Sequence, residues 1–248
     1  MTPAQTAAAW IVASSHHVVF TGAGISTDSG LPDYRGPDGV WTRRDAGLPP
    51  PRARASIATA RPNAGHAALV ELLQMGKLQH LISQNVDGLH RLSGIPAEHL
   101  SELHGNSRLM RCLACDQRYS LAQVGWDRRR LGPGYRTQTP HPTQPPCPSC
   151  GGRLISSIVN FGDPMPERET DAAYAHSESC DLFVVIGSSL MVSPANEMPA
   201  IAVDQGARLI ILNRGETPLD HLAHLRISAG ISAVLPAIVC AVRDLLSR

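Results

Sequence analysis

Short, unbroken apolar segments that alternate with helix-like segments constrain the fold of this 248-residue chain more than any other feature. Residues 182–186 form a continuous apolar run and residues 208–212 form a second strand-like run, while a closing helix is predicted at 231–246. Strands that are apolar on both faces occur where helices cover both sides of a parallel sheet. The sequence therefore predicts an α/β fold.

Further elements follow from the same patterning and from helix-capping residues. Thr2-Pro3 suits a helix start, and Asn63 can cap a helix through its side-chain oxygen. Helices are predicted at 3–13, 64–75, 167–176 and 194–202, and strands at 17–20, 78–83, 100–103 and 155–161.

The first predicted strand runs directly into Gly22-Ala23-Gly24, where a dinucleotide-binding turn would sit. The third glycine of that fingerprint would fall at Thr27, so a tight structural turn explains these three residues equally well. The residues that follow, up to Gly36, combine Ser and Thr hydroxyls, two carboxylates and an arginine, a mixture that favours ligand binding. Arg35 offers a planar, permanently charged fork for phosphate.

Two C-x-x-C pairs stand in a stretch, 112–152, that is rich in Pro and Gly and lacks aliphatic periodicity. Cys112 and Cys115 are separated from Cys147 and Cys150 by 31 residues, and four thiolates so paired can form a tetrahedral zinc site. Redox pairs and disulfides are the alternatives. Four sulfur ligands leave no open position, so one structural Zn²⁺ is predicted.

Two other cysteines, Cys180 and Cys240, stand alone and are predicted to be buried free thiols.

Six motifs resemble those of the sirtuin (Sir2) family. Residues 22–36 resemble its GAGxSxxSGIPDFR signature, with Leu31 for Ile and Tyr34 for Phe. The other motifs lie, in the family's order, at 84–90, 102–106, 161–163, 187–194 and 211–213. The extension at 36–41 is most similar to the sirtuin 6-like branch.

The resemblance implies a Rossmann-like parallel sheet with helices on both faces, plus a small discontinuous zinc-binding module. We expect the NAD-binding domain to comprise 1–35, 77–107 and 154–248. The small module would comprise 36–76, its helical part, and 108–153, its ribbon-like zinc part.

The resemblance also implies site residues. His104 is the expected general base, and Asn85 and Asp87 are expected to border the nicotinamide pocket. The expected NAD contacts are Gly22, Ala23, Gly24, Ser26, Thr27, Asp33, Tyr34, Arg35, Trp41, Gln84, Asn85, Asp87, His104, Gly187, Ser188, Ser189, Asn213, Arg214 and Ile231. The expected peptide contacts are Val159, Phe161, Gly162 and Val192.

For some of these residues the pattern leaves an alternative open. Asn213 suits a turn cap equally, because Asn side chains bond nearby backbone. Core packing is the alternative for Val159, Phe161 and Val192.

The function implied is NAD-dependent removal of acyl groups from protein lysines, which yields nicotinamide, free lysine and 2'-O-acyl-ADP-ribose. Protein mono-ADP-ribosyl transfer from the same NAD site is the alternative, and a non-enzymatic NAD sensor or scaffold is a third. The substrate partner would be an acylated protein or peptide. Residues 46–62 contain no Tyr to pair with Arg around an acidic acyl chain, so neutral acyl groups are expected over succinyl.

Charge and hydropathy limit the partners. The net charge of +1 predicts no direct nucleic-acid binding, and no apolar run reaches the roughly 20 residues of a membrane span. A cytoplasmic location is expected, since residues 1–12 do not have the pattern of a signal peptide.

Overall fold

The computed structural model describes residues 1–247, which form eight α-helices and nine strands. The helices are α1 Pro3–Ala13, α2 Val40–Asp45, α3 Ala64–Gln74, α4 Leu89–Ser93, α5 Arg128–Leu131, α6 Glu167–Ser179, α7 Met198–Asp204 and α8 Ile231–Leu246. The strands are β1 His17–Thr21, β2 His80–Ser83, β3 Leu100–Glu102, β4 Leu109–Cys112, β5 Arg118–Ser120, β6 Leu154–Ser156, β7 Leu182–Ile186, β8 Arg208–Leu212 and β9 Leu225–Ile227.

Six strands form one parallel sheet in the order β3-β2-β1-β7-β8-β9. Successive side chains of each strand point to opposite faces, so Val19 packs in the core beneath α1, α3 and α8, whereas Val18 packs beneath α6 and α7. Both faces are therefore apolar and covered by helices. The predicted α/β fold is confirmed. The unbroken apolar run at 182–186 is the central strand β7, and the run at 208–212 is the neighbouring strand β8.

The order of the strands reverses beside β1, which pairs with β2 on one side and with β7 on the other. The connection after β1 leads to α3 on one face of the sheet, and the connection after β7 leads to α7 on the other face. In sheets of this kind a crevice opens at the carboxyl ends of the strands at that point.

Side-chain caps explain where α1 and α3 begin. The Thr2 hydroxyl accepts from the Gln5 amide while the Gln5 side chain accepts from the Thr2 amide, which fixes the start of α1. The Asn63 side chain accepts from the Gly65 and His66 amides at the start of α3. The predicted starts of both helices are confirmed.

A second, antiparallel sheet has the order β5-β4-β6. The strand predicted at 155–161 was wrong in extent and in place, because it covers only Leu154–Ser156 and pairs with β4 in this small sheet. Beyond it the chain bends into a turn, in which the Asp163 amide donates to the Asn160 carbonyl and Gly162 has φ +87°.

Two other expectations need correction. The helix predicted from 194 starts with a 3₁₀ turn, Ala195–Glu197, and becomes α-helical only at Met198. Cys240 is exposed, because α8 buries Ile238, Val239 and Val242 and thereby turns position 240 outward. Cys180 is buried, as predicted.

The division into two domains stays a prediction. α3, which was assigned to the small module, contributes Ala68, Leu69 and Leu72 to the core beneath the large sheet. None of the helices in residues 1–247 combines the length and hydropathy that a membrane crossing requires.

Candidate active site and metal centre

The glycine turn after β1 brings two loops into direct backbone contact. The Gly22 amide donates to the Ile186 carbonyl (3.0 Å), and the Gly24 amide donates to the Gly187 carbonyl (2.8 Å). A Cβ on Gly24 would lie 2.7 Å from the Gly187 Cα, closer than real contacts allow. The glycines are therefore required by the close approach of the β1 and β7 loops. A 3₁₀ helix, Ala23–Ser29, follows the turn.

Asn85 and Asp87 follow β2, and both side chains face this turn. Asn85 Nδ2 donates to the Gly22 carbonyl (3.1 Å), and the Ser26 hydroxyl donates to Asp87 Oδ2 (2.7 Å). The Leu89 amide donates to Asp87 Oδ1 (2.8 Å), so both carboxylate oxygens accept hydrogen bonds. Burial raises the pKa of Asp87, and these two donors oppose that shift. The pair is buried and rigidly held.

His104 follows β3 and Leu103, and a hydrogen bond fixes its ring. Its Nδ1 lies 2.9 Å from the Gln84 carbonyl oxygen. Because a carbonyl only accepts, Nδ1 carries the proton, and Nε2 of the neutral ring keeps a free lone pair. Burial lowers the pKa of His104, with a smaller opposing effect from the Gln84 carbonyl. The ring is thus a proton acceptor near neutral pH.

Gly105 explains why the His104 loop can pack against the β6 loop. It has φ +76°, and a Cβ there would lie 1.7 Å from the Ser157 carbonyl oxygen. The Val159 amide donates to the His104 carbonyl (2.9 Å), which ties the predicted peptide segment to the predicted base.

The loops after β7 and β8 complete the cleft. The Ser188 hydroxyl donates to Gln84 Oε1 (2.8 Å) and so links β7 to β2. Asn213 Nδ2 donates to the Gly215 carbonyl (2.9 Å), which is the turn-capping contact that the sequence left as an alternative.

An aromatic rim stands at the mouth. The rings of Tyr34 and Trp41 are 4.9 Å apart, and Phe161 lies 6.2 Å from Trp41. Phe161 is 85% exposed, so core packing is excluded for it. Arg35 stacks over Trp41 at 4.9 Å and pairs with Asp45 (3.0 Å).

All the predicted cofactor and peptide residues meet in one cleft of about 860 Å³, a size typical of ligand pockets. Its wall also contains apolar residues that were not among the expected contacts. These are Leu31, Pro32, Val40, Ile57, Ile158 and Met165.

The four paired cysteines converge in the small sheet. Their sulfur atoms all lie within 4.8 Å of one another, with Cys112–Cys150 at 3.5 Å and Cys115–Cys147 at 3.7 Å. A tetrahedron with Zn–S bonds of about 2.3 Å separates its sulfurs by about 3.8 Å. The spacing therefore fits one zinc ion, and the four cysteines can hold it. A disulfide, with S–S of about 2.05 Å, does not fit these distances.

The chain belongs to the Sir2 family, whose pattern matches residues 51–194. It is 41% identical, over 88% of both chains, to an NAD-dependent protein deacetylase 1 of Bradyrhizobium diazoefficiens. It is 40% identical, over 91% of its length, to the NAD-dependent protein deacetylase SRT1 of Oryza sativa, of which it spans 45%.

The chain is also similar to solved structures of Sir2 proteins. A Sir2 complex with a p53 peptide and NAD+ has TM-score 0.71 and 31% identity, covering 93% of this chain and 95% of that one. Sir2Af2 bound to a myristoylated histone peptide has TM-score 0.69 and 32% identity, covering 99% and 98%.

Proposed function

We propose that this chain is an NAD-dependent protein-lysine deacylase. The observation that carries the proposal is one cleft that contains a proton-accepting His104, the buried Asn85–Asp87 pair and the glycine turn. The names of the Bradyrhizobium and rice relatives support it.

The donor set of this cleft suits NAD, and its volume lies in the range of ligand pockets. The Arg35 guanidinium and the backbone of the 3₁₀ helix after Gly24 suit phosphates, and the polar side chains of Gln84, Ser188 and Asn213 suit ribose hydroxyls. NAD supplies a ribose carbon activated by a positively charged leaving group, nicotinamide.

His104 provides the base for the reaction. Its Nε2 faces away from the Gln84 carbonyl bond and can accept a proton from a ribose hydroxyl, and positioned general-base help is worth about 10²–10⁴ in rate. The buried Asp87 carboxylate holds Ser26, and Asn85 holds the Gly22 carbonyl, so these residues order the floor of the cleft.

The peptide partner would lie between Val159–Gly162 and Val192. Both segments line the cleft outside regular strands, and an extended peptide can add a strand to such backbone. Phe161, which is exposed at the mouth of the cleft, would then contact the substrate.

A neutral acyl group is the expected substrate. The added wall residues Leu31, Ile57, Ile158 and Met165 are apolar, and burial of an unpaired carboxylate among them would be costly. The measurement is kcat/KM on one peptide that bears acetyl, myristoyl or succinyl lysine. Preference for succinyl would contradict this assignment.

The deciding experiment incubates purified protein with an acetyl-lysine peptide, with and without NAD. Free lysine together with acyl-ADP-ribose supports deacylation. ADP-ribosylated protein without deacylated peptide supports the alternative, mono-ADP-ribosyl transfer, and no NAD consumption supports a sensor.

Two finer assignments stay predictions from the sequence. One is a cytoplasmic location. The other is membership of the sirtuin 6-like branch, to which the bacterial and rice relatives lend no support.

A further inference from the structure

The side chain of Arg108 bridges two separate segments of the cleft. Its Nε donates to the Asp87 carbonyl oxygen (3.0 Å), and its Nη2 donates to the Ile57 carbonyl oxygen. Arg108 directly precedes β4 and is partly buried. It lies outside the six family-like motifs, the nearest of which ends at Asn106.

The two carbonyls belong to walls of the cleft that differ in origin. Asp87 lies in the polar turn after β2, and Ile57 lies in the irregular segment between α2 and α3. Among residues 1–247, the cleft is lined by both Asp87 and Ile57, whereas Arg108 is not part of the lining. Arg108 therefore influences the cleft indirectly, through its hydrogen bonds to two residues that line it.

Two neighbouring residues, Asn106 and Gly88, fix the position of Arg108. Its backbone amide donates to Asn106 Oδ1 (2.9 Å), and a Cβ on Gly88 would lie 3.0 Å from its Cδ. Gly88 has φ +72°, a conformation that favours glycine. The absence of a Cβ at this position leaves room for the aliphatic part of the Arg108 side chain. A planar guanidinium can donate to two carbonyls in fixed directions, which a single ammonium cannot do.

Arg108 also places a positive charge beside the most buried carboxylate of the cleft. Burial raises the pKa of Asp87, and the charge of Arg108 acts in the opposite direction, along with the Leu89 and Ser26 donors. The arginine thus favours the carboxylate form, which accepts both of those bonds.

We propose that Arg108 is a positioning residue for the reaction: by bridging the Asp87 and Ile57 carbonyls it fixes the Asp87 turn against the outer wall of the cleft. The inference rests on the proposed deacylase function.

The test compares Arg108→Met, which keeps the stem, with Arg108→Lys, which keeps the charge. For Arg108→Met we expect kcat/KM for NAD to fall about 10- to 100-fold, as a displaced turn would cause. The acidic limb of its pH profile should move upward, because Asp87 would ionise at higher pH. Arg108→Lys should keep the wild-type acidic limb and recover only part of the rate, since it cannot span both carbonyls.

Arg129→Met is the matched control, because Arg129 is exposed on α5. Thermal unfolding and zinc content are measured for every variant. The proposal is overturned if Arg108→Met keeps wild-type kcat/KM and pH profile. It is also overturned if Arg108→Met and Arg108→Lys lose kcat/KM equally and have the same pH profile, because a purely structural role predicts that result.

The Kd for NAD separates this inference from the proposed function. If the wild-type protein shows no NAD-dependent deacylation, the proposed function fails on its own. The bridge is then judged by calorimetry with NAD alone: a weaker Kd in Arg108→Met supports it, and an unchanged Kd overturns it.

Discussion

At the scale of the residue, the cleft depends on hydrogen bonds that fix which atom is free to react. The Gln84 carbonyl occupies Nδ1 of His104, and the Ser26 hydroxyl and Leu89 amide occupy the two oxygens of Asp87. Gln84 and Ser26 belong to segments other than those of His104 and Asp87, so a small shift between these segments would change the chemistry of both side chains.

Replacement of His104 should separate catalysis from binding. We expect His104→Ala to lower deacylation by about 10²–10⁴ while the Kd for NAD changes little, because the phosphates are held elsewhere. Peptide kinetics and calorimetry with NAD measure the two effects. Wild-type deacylation by His104→Ala would exclude this histidine as the base.

The pH dependence of the wild-type rate follows from the same contact. Burial lowers the pKa of His104 below its ordinary value of about 6.5, so the proton-accepting ring persists to lower pH. The part of the acidic limb of kcat/KM that belongs to His104 should therefore lie below pH ~6.5, and in His104→Ala only the part that belongs to Asp87 should remain if residual activity can be measured. A limb well above that value would contradict the assignment.

At the scale of the element, the glycine turn illustrates how one missing side chain joins two strands. In Gly24→Ala the new Cβ would meet backbone of Gly187, which cannot move aside cheaply. We expect a loss of about 1–3 kcal/mol in unfolding free energy and a weaker Kd for NAD.

Gly76→Ala serves as the control for that experiment. Gly76 has φ +67°, and a Cβ there would meet nothing within 4 Å. Its cost is therefore backbone strain of about 1 kcal/mol, without any change in NAD binding. Equal NAD affinity in the two variants would show that the contact at Gly187 does not shape the cleft.

The small sheet should depend on its metal. Cys147→Ser is expected to lose zinc and to lower the unfolding midpoint, since zinc supplies on the order of 10–16 kcal/mol in small zinc modules. Cys240→Ser, on the exposed side of α8, should change neither quantity. Metal analysis that finds no zinc in active, reduced protein would refute the prediction.

Elements that carry their own signals could be predicted from the sequence. α1 matches its predicted bounds because a cap marks its start, and α8 matches because it has an apolar stripe. β7 matches because it is apolar throughout. β4, β5 and β9 were missed, since they have three or four residues each and are defined by their partners.

The residues of the site also divide into those with a local sequence signal and those defined by distant contacts. His104 and Asp87 could be assigned to the candidate site from the sequence because they stand in family-like motifs, and both line the cleft. Arg108 and Ile57 could not, because their roles arise from contacts between segments that are distant in sequence and have no local pattern.

At the scale of the whole molecule, buried histidines should make stability sensitive to acid. Burial lowers the pKa of His17 and His66 to about 4 and that of His80 to about 3. These rings are neutral in the fold but take up protons in the unfolded chain below pH ~6.5. Their contribution is complete above that pH and is lost as the pH falls toward the folded values, by up to about 1.4 kcal/mol per group and pH unit.

Urea unfolding between about pH 7.5 and 5.5 measures this effect. We expect the unfolding free energy to fall across that range, and to fall less in His80→Gln, whose side chain can still bond Ser101. His221→Gln, at an exposed position, should leave the slope unchanged. A slope unaffected by His80→Gln would contradict the assignment.

The pairing of β1 with β7 has a consequence for the order in which the protein can acquire function during synthesis. His17 lies beside Leu182, so the turn at Gly22–Gly24 lacks its backbone contacts with the β7 loop until the second half of the chain has left the ribosome. A nascent chain that ends before β7 lacks the carbonyls of Ile186 and Gly187, which accept from the Gly22 and Gly24 amides. The nucleotide can therefore bind only near the end of translation, when β7 and β8 have joined the sheet.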